Sequence, residues 1–377
     1  MSFKAVLCNF AAVAAVTALS AGPASAESML QGFKRLSTVA STIPDNGDLN
    51  PYAVFVAPAF SGVIQKGDVL VDNFNNGKNL QGTGASIVLV NPETRAMKLF
   101  AKLPQNLSQC PGGIGLSTAM AMLRSGWVIV GSTPSTDGTT ATKGQGCLLV
   151  FDSNGKLATV WADAEINDPW GNMAVVDKGD SATLFISMSG FDVLSADIKD
   201  KKGESVTVRK ATVMRLQLKI APGAPPKVVN RTVVASGLAQ RADKDVFLIG
   251  PTGLALIGST LYVSDTADNR ILAIPDALKR TTSAGAGRTV THDGMLKRPL
   301  ALVATPNGHL LTTNGKNGQI VEIDPADGKQ LAARWVDTDQ AQQPPGNGDL
   351  FGLALSPKGD AIYYVEDDTN MLAKVSK

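Results

Sequence analysis

Short runs of Val, Ile and Leu, each closed by a small polar residue and a turn, recur along most of this chain. The clearest copy reads Pro251-Thr252-Gly253-Leu254-Ala255, then Leu261-Tyr262-Val263-Ser264-Asp265, then Asn269-Arg270-Ile271-Leu272-Ala273-Ile274. The next has strands at 300–304, 310–314 and 319–323, and the last at 351–355, 362–366 and 371–375. Less regular copies have second strands at 69–73, 128–132 and 184–188. Apolar stretches this short, bounded by Gly, Asn and Asp, predict buried strands, and no amphipathic helix of ten or more residues separates them.

The ends of the second strands set the period. Asn73, Ser132, Met188, Asp265, Asn314 and Glu366 are spaced by 59, 56, 77, 49 and 52 residues, which is one four-stranded sheet each plus insertions. Six such sheets cannot bury their faces alone. The pattern therefore predicts an all-β chain, a six-bladed β-propeller of four-stranded antiparallel blades. The sixth copy has only three strands before Lys377, and a run at 36–43 can supply the fourth. An N-terminal strand over about 34–43 is thus expected to join the last blade, removing two open sheet edges.

The first 26 residues stand apart from this pattern. A basic start at 1–4, an apolar run from 5 to 21 and Ala24-Ser25-Ala26 predict a secretory signal cleaved before Glu27, leaving 27–377 as one propeller domain. Asn9, Gly22 and Pro23 leave too little apolar length for an anchor, and no later stretch is suited to span a bilayer. The expected location is periplasmic or secreted. Cys8 leaves with the signal, and in an oxidising compartment Cys110 and Cys147 are expected to form a disulfide.

Composition narrows the function classes. With 37 Gly and 20 Pro against 18% charged residues and 44% apolar ones, the chain is globular and rich in turns. A net charge of +2, with Lys279-Arg280 and Lys297-Arg298 as isolated basic pairs, excludes a nucleic-acid partner. His292 and His309 fall on different parts of a blade, and neither GxSxG nor HExxH occurs, so a Ser-His-Asp triad or His-based metal site is not expected. Gly112-Gly113-Ile114-Gly115 opens a blade rather than a helix, which leaves phosphate cradling unsupported. Trp127, Trp161, Trp170 and Trp335 are read as packing between blades.

The run Asp265-Thr266-Ala267-Asp268-Asn269-Arg270-Ile271 closely resembles the blade signature of NHL-repeat proteins. The Gly-Leu-Ala strand starts resemble both those repeats and the senescence-marker/gluconolactonase-like propellers. The resemblance covers the fourth to sixth blades by motif and the first three by spacing. It implies two functions. The NHL likeness implies a binding scaffold for a small molecule or protein, acting as a monomer through the face carrying the long loops 72–86, 131–146 and 189–210. The alternative is a divalent-metal-dependent hydrolase of the gluconolactonase kind, whose metal sits at the channel mouth. A lyase or strictosidine-synthase-like chemistry would occupy the same mouth.

Oxygen donors are expected near that mouth: Asn73, Asn75, Asp168, Asp265, Asn314, Glu366 and Asp367. Hard oxygen ligands suit Ca²⁺ or a similar cation. Asn and Asp are also favoured in turns for backbone reasons alone. The chain departs from the gluconolactonase pattern at Pro251-Thr252-Gly253 and Pro169-Trp170-Gly171, where Pro-Asn-Gly is usual. It departs again at Asn50-Pro51-Tyr52, which lacks the metal-binding Glu.

Overall fold

The computed structural model describes residue 1 and residues 27–377, so the expected signal segment and Cys8 lie outside the described residues. The apolar runs pair as six antiparallel sheets. The first is built from Leu49–Val56, Val69–Asn75, Ser86–Val90 and Met97–Lys102, and the second from Leu116–Met122, Val128–Ser132, Cys147–Phe151 and Leu157–Trp161. The fourth comprises Pro251–Ile257, Thr260–Asp265, Arg270–Ile274 and Arg288–His292; the fifth comprises Pro299–Ala304, Leu310–Asn314, Gln319–Ile323 and Gln330–Trp335. In the sixth, Leu350–Leu355, Ala361–Glu366 and Met371–Ser376 are completed by Arg35–Ser41, which pairs antiparallel with Met371–Ser376.

The third blade differs from its neighbours. Its strands Ala174–Asp177 and Ser181–Met188 are followed by two long ones, Val208–Ala221 and Ala224–Asp243. The tail of the last turns back through Phe247–Ile249, which pairs with it as a fifth strand. The 77-residue spacing across this blade is therefore one elongated hairpin plus a return segment, not an extra blade.

Burial explains why these sheets assemble radially. The second and third strands are buried on both faces, as at Val128–Ser132 and Cys147–Phe151, whereas the outer strand Leu157–Trp161 is only half-covered. A strand apolar on both faces needs a neighbour on each side. The core is accordingly divided into six clusters that lie between successive blades rather than inside any one. Burial of this apolar area is the main stabilising contribution.

Toward the axis, backbones meet without side chains between them. A Cβ on Gly171 would lie 1.3 Å from the Thr252 carbonyl oxygen, and one on Gly352 would lie 2.4 Å from that of Tyr52. The glycines of the strand starts thus let each inner strand press against the next blade. Hydroxyls tie the same contacts: Thr266 Oγ1 donates to Pro299 O at 2.7 Å and Thr313 Oγ1 to Phe351 O at 2.8 Å. Among the described residues no helix is long and apolar enough to cross a membrane.

Candidate functional site

The loops joining second to third strands share one face, and those of the first three blades are sewn together. Ser135 N donates to Gly82 O at 2.7 Å, Ala196 N to Thr140 Oγ1 at 2.8 Å, and Gln81 Nε2 to Lys244 O at 2.9 Å. Cys110, before the second blade, is disulfide-bonded to Cys147 at the head of that blade's third strand, with Cα atoms 5.3 Å apart and both residues buried. The bridge fastens the end of the 133–146 loop to the segment entering the second blade, the pairing expected from the sequence.

On the axis itself, the mouth is filled by aromatic rings. Tyr52 stacks between Phe74 and Phe351, with centroids at 4.5 and 4.2 Å. Trp170 meets Tyr52 and Phe74 edge-on at 5.8 and 5.7 Å, and Phe247 meets Phe74 edge-on at 5.4 Å. All five are buried. Phe247 adopts a left-handed backbone (φ 64°), a costly conformation for a bulky residue, and is held there by the return hairpin of the third blade. This apolar plug occupies the position where the gluconolactonase likeness implies a cation, and its donor set does not fit one. Trp170 has a packing role, as expected, whereas Trp335 lies 40% exposed on an outer strand.

Five of the oxygen donors singled out in the sequence make local bonds, although Asn73, Asn75, Asp168 and Asp265 each keep one buried Oδ1 without a partner. Asn73 Nδ2 donates to Thr42 O at 2.9 Å, and Asn75 Nδ2 to Asn79 Oδ1 at 2.7 Å. Asp265 accepts from Arg270, whose Nε and Nη2 lie at 2.8 and 2.7 Å. Asn314 accepts from Lys297 N and donates to Met295 O, both at 2.9 Å. Asp168 is fully buried with Lys143 Nζ at 2.5 Å; burial pushes its carboxyl up to about 7 against the opposing pull of Lys143. The bonds that these five do make hold loops in register.

Glu366 and Asp367 behave differently. Glu366 ends the second strand of the sixth blade and Asp367 follows it, beside three residues not expected from the sequence. Asp337 follows the outer strand of blade five, Asp349 precedes the inner strand of blade six, and Asp368 follows Asp367. Backbone bonds fix this seam: Asp367 N donates to Asp349 O at 2.9 Å and Asp337 N to Gly318 O at 3.1 Å. One carboxylate oxygen from each of Asp337, Asp349 and Asp368 lies within 4.8 Å of the others.

The electrostatics of this basin are lopsided. Asp337 and Asp349 are 7% and 6% exposed; Oδ2 of each is buried without a donor from any other residue, and the two carboxyls lie close enough to share a proton. Burial, then the charges of Asp368, Asp337 and Asp367, push Asp349 up to about 8. Burial raises Asp367 to about 7, with Asp368 adding to it. Glu366 is raised to about 7 by burial, against a hydrogen bond from Thr369. Among the described residues, no Lys, Arg or His forms an ion pair with any of these five carboxylates. The basin reaches the axial plug at Tyr52, whose buried hydroxyl has Asn50 as its one neighbouring partner and feels the Asp367 charge. The local signal was present as Asp337-x-Asp339 and Glu366-Asp367-Asp368, two acidic clusters at strand ends of adjacent blades.

No known protein family and no curated protein matches the chain. Among solved structures, a gluconolactonase from Xanthomonas campestris is similar at 13% identity, covering 91% of this chain and 89% of that one, with a TM-score of 0.54. The PQQ-bound aldose sugar dehydrogenase from Streptomyces coelicolor matches at 16% identity over 91% and 97%, with a TM-score of 0.53. A luciferin-regenerating enzyme matches at 13% identity over 91% and 96%, with a TM-score of 0.52. At such identities the likeness establishes the propeller fold, which hosts many activities.

Proposed function

We propose that this chain is a divalent-cation-dependent hydrolase of lactones or related esters, with the cation held off the axis by Asp337, Asp349 and Asp368 and with Glu366 and Asp367 beside them. The observation that carries this reading is the pair of buried, unpartnered carboxylate oxygens in a basin without a counter-cation. Carboxylates taken out of water and left unpaired are costly, and a hard cation with oxygen ligands relieves that cost. When bound, such a cation would polarise a carbonyl and lower the pKa of water. The gluconolactonase among the structural neighbours supports the reaction class.

The chain's own residues supply positioning. Asp337 and Asp349 are fixed by the backbone of the seam, so their oxygens need little reorganisation. The signal expected over 1–26 and the buried disulfide support a location in the periplasm or outside the cell. A binding scaffold is the second reading, favoured by the interlocked loops of the first three blades.

Metal analysis of protein purified without chelator, followed by hydrolysis of a panel of aliphatic and sugar δ-lactones with and without EDTA, tests the proposal. About one cation per chain and turnover lost in EDTA and restored by Ca²⁺ are expected. Absence of a bound cation together with chelator-insensitive behaviour would sink it.

A further inference from the structure

Beside the aromatic plug, a slot opens onto the same face. Trp170, Leu248 and Phe351 wall it and are buried, while Val246, Leu300 and Arg298 keep part of their surface and form its rim. The slot is narrow, about 20 Å³, and a cavity of that size admits one small group rather than a whole ligand. Three hydroxyls on its walls are already engaged: Thr118 Oγ1 donates to Trp170 O, Thr252 Oγ1 to Gly250 O at 2.9 Å, and Thr266 Oγ1 to Pro299 O at 2.7 Å.

Arg298 is the slot's one charged side chain. Its backbone sits in the left-handed region (φ 58°), a costly conformation for a long side chain. Asn269 Oδ1 accepts its amide at 2.8 Å, and Gly315 N donates to its carbonyl at 2.8 Å. Asn269 belongs to the Asp265–Ile271 run of blade four, so that motif fixes the residue entering blade five.

The guanidinium is mostly covered, with 24% of the side chain exposed, yet it has no hydrogen-bond acceptor among the described residues. The nearest acid, Asp243, lies 3.6 Å from Nη1, too far for a hydrogen bond, and its Oδ1 is turned to the amides of Asp245 and Val246. None of the guanidinium nitrogens is sealed from the slot and its rim. Arg241, which forms no ion pair among the described residues, adds a second positive charge that is felt at Arg298. Asp243, Glu204 and Asp245 oppose it, but burial outweighs them and lowers the guanidinium below its usual range. A cation taken out of water with its donors unmet is costly, and a planar oxyanion meets two of those donors at once.

We infer that the slot takes the carboxylate head of a small organic acid, held edge-on by Arg298, with the acid's apolar remainder lying over Leu300 and Val246. The slot shares no residue with the acidic basin, so its occupancy does not require a cation there.

Isothermal titration calorimetry tests the inference on the full chain, stripped of cations with EDTA and then desalted into a carboxylate-free buffer of low ionic strength. Butyrate and benzoate are titrated against butyramide and benzamide, which match their shapes without the charge, and against chloride and phosphate. Saturable binding of at least one acid is expected, about tenfold or more tighter than its amide. Arg298→Asn places a residue that tolerates the left-handed backbone and should weaken binding about tenfold or more. Asp243→Asn keeps an acceptor for the Asp245 and Val246 amides but removes the competing charge, and should tighten binding about threefold. Absence of saturable heat with both acids, equal affinity for acid and amide, or preference for chloride or phosphate would overturn the inference. So would unchanged affinity in Arg298→Asn or an affinity not raised in Asp243→Asn. If Arg298→Asn melts well below the parent, Asp243→Asn decides alone.

Discussion

His309 Nδ1 lies 2.7 Å from Glu322 Oε1, and both side chains are buried in the fifth blade. The same carboxylate accepts from Ser28 Oγ at 2.6 Å, Met29 N at 3.0 Å and Leu30 N at 2.7 Å. Glu322 therefore anchors the segment that leads into Arg35–Ser41, the strand completing the sixth blade. Burial alone would raise its carboxyl, but the bonds from Ser28, His309, Leu30 and Met29 outweigh it and hold it below the usual range. Glu322→Ala should cost about 2–4 kcal/mol, because the buried donors lose their acceptor. Removing residues 27–45 should destabilise the whole ring by leaving the outer edge of Met371–Ser376 unpaired. Since the folded carboxyl titrates lower than the unfolded one, its stabilisation is full above about pH 4.5 and is lost as the pH falls below that. Thermal melts of the two variants at pH 7, and of the parent from pH 7 to 3, check this. A parent-like melting point after the deletion would contradict it.

The disulfide closes a 37-residue separation on the loop face. Replacing both Cys110 and Cys147 by Ser should cost about 2–4 kcal/mol and speed proteolysis within 133–146, leaving the far blades protected. Limited proteolysis with mass mapping reads both effects. Cleavage spread evenly over the chain would show instead that the bridge serves the entire ring.

The blades were legible because strand periodicity and turn chemistry are local properties. The second strands predicted at 128–132 and 310–314 coincide with Val128–Ser132 and Leu310–Asn314. The return strand Phe247–Ile249 was not, because only tertiary packing holds Phe247 in a left-handed conformation. The site was legible in part for a related reason. Glu366 and Asp367 could be placed by counting strand ends, whereas Asp337 and Asp349 belong to the connection between two blades, whose path the sequence pattern does not give. Tyr52 could be read as a missing Glu, but its stacking between Phe74 and Phe351 depends on residues some 300 positions apart.

That stack makes a stability prediction of its own. Phe74→Ala should cost about 3–5 kcal/mol, since Phe74 touches Tyr52, Trp170 and Phe247 and the hole cannot collapse between rigid strands. Tyr52→Phe keeps the ring and removes a buried hydroxyl whose one neighbouring acceptor is Asn50, so it should change stability by no more than about 1 kcal/mol. Chemical denaturation of the two variants decides the point. A large loss in Tyr52→Phe would mean that the hydroxyl is bonded to something the fold alone does not supply.

The acidic basin links pH, cation and stability in a way that can be read without knowing the substrate. With no cation bound, Asp349 is raised to about 8 and Glu366 and Asp367 to about 7, all above their unfolded values. Groups raised in the folded state favour folding below the unfolded pKa and lose that contribution as the pH rises through the folded one. In EDTA the protein should therefore melt higher at pH 5 than at pH 8, the difference being on the order of 1–3 kcal/mol after discounting for solvent screening. Calcium reverses the trend, because it binds the ionised carboxylates: its stabilisation should be large at pH 8 and small at pH 5. Asp349→Asn removes one of the crowded charges. It should raise the melting point in EDTA at pH 8 and abolish the calcium response. Equal calcium shifts at both pH values, or a full response in Asp349→Asn, would place the cation elsewhere.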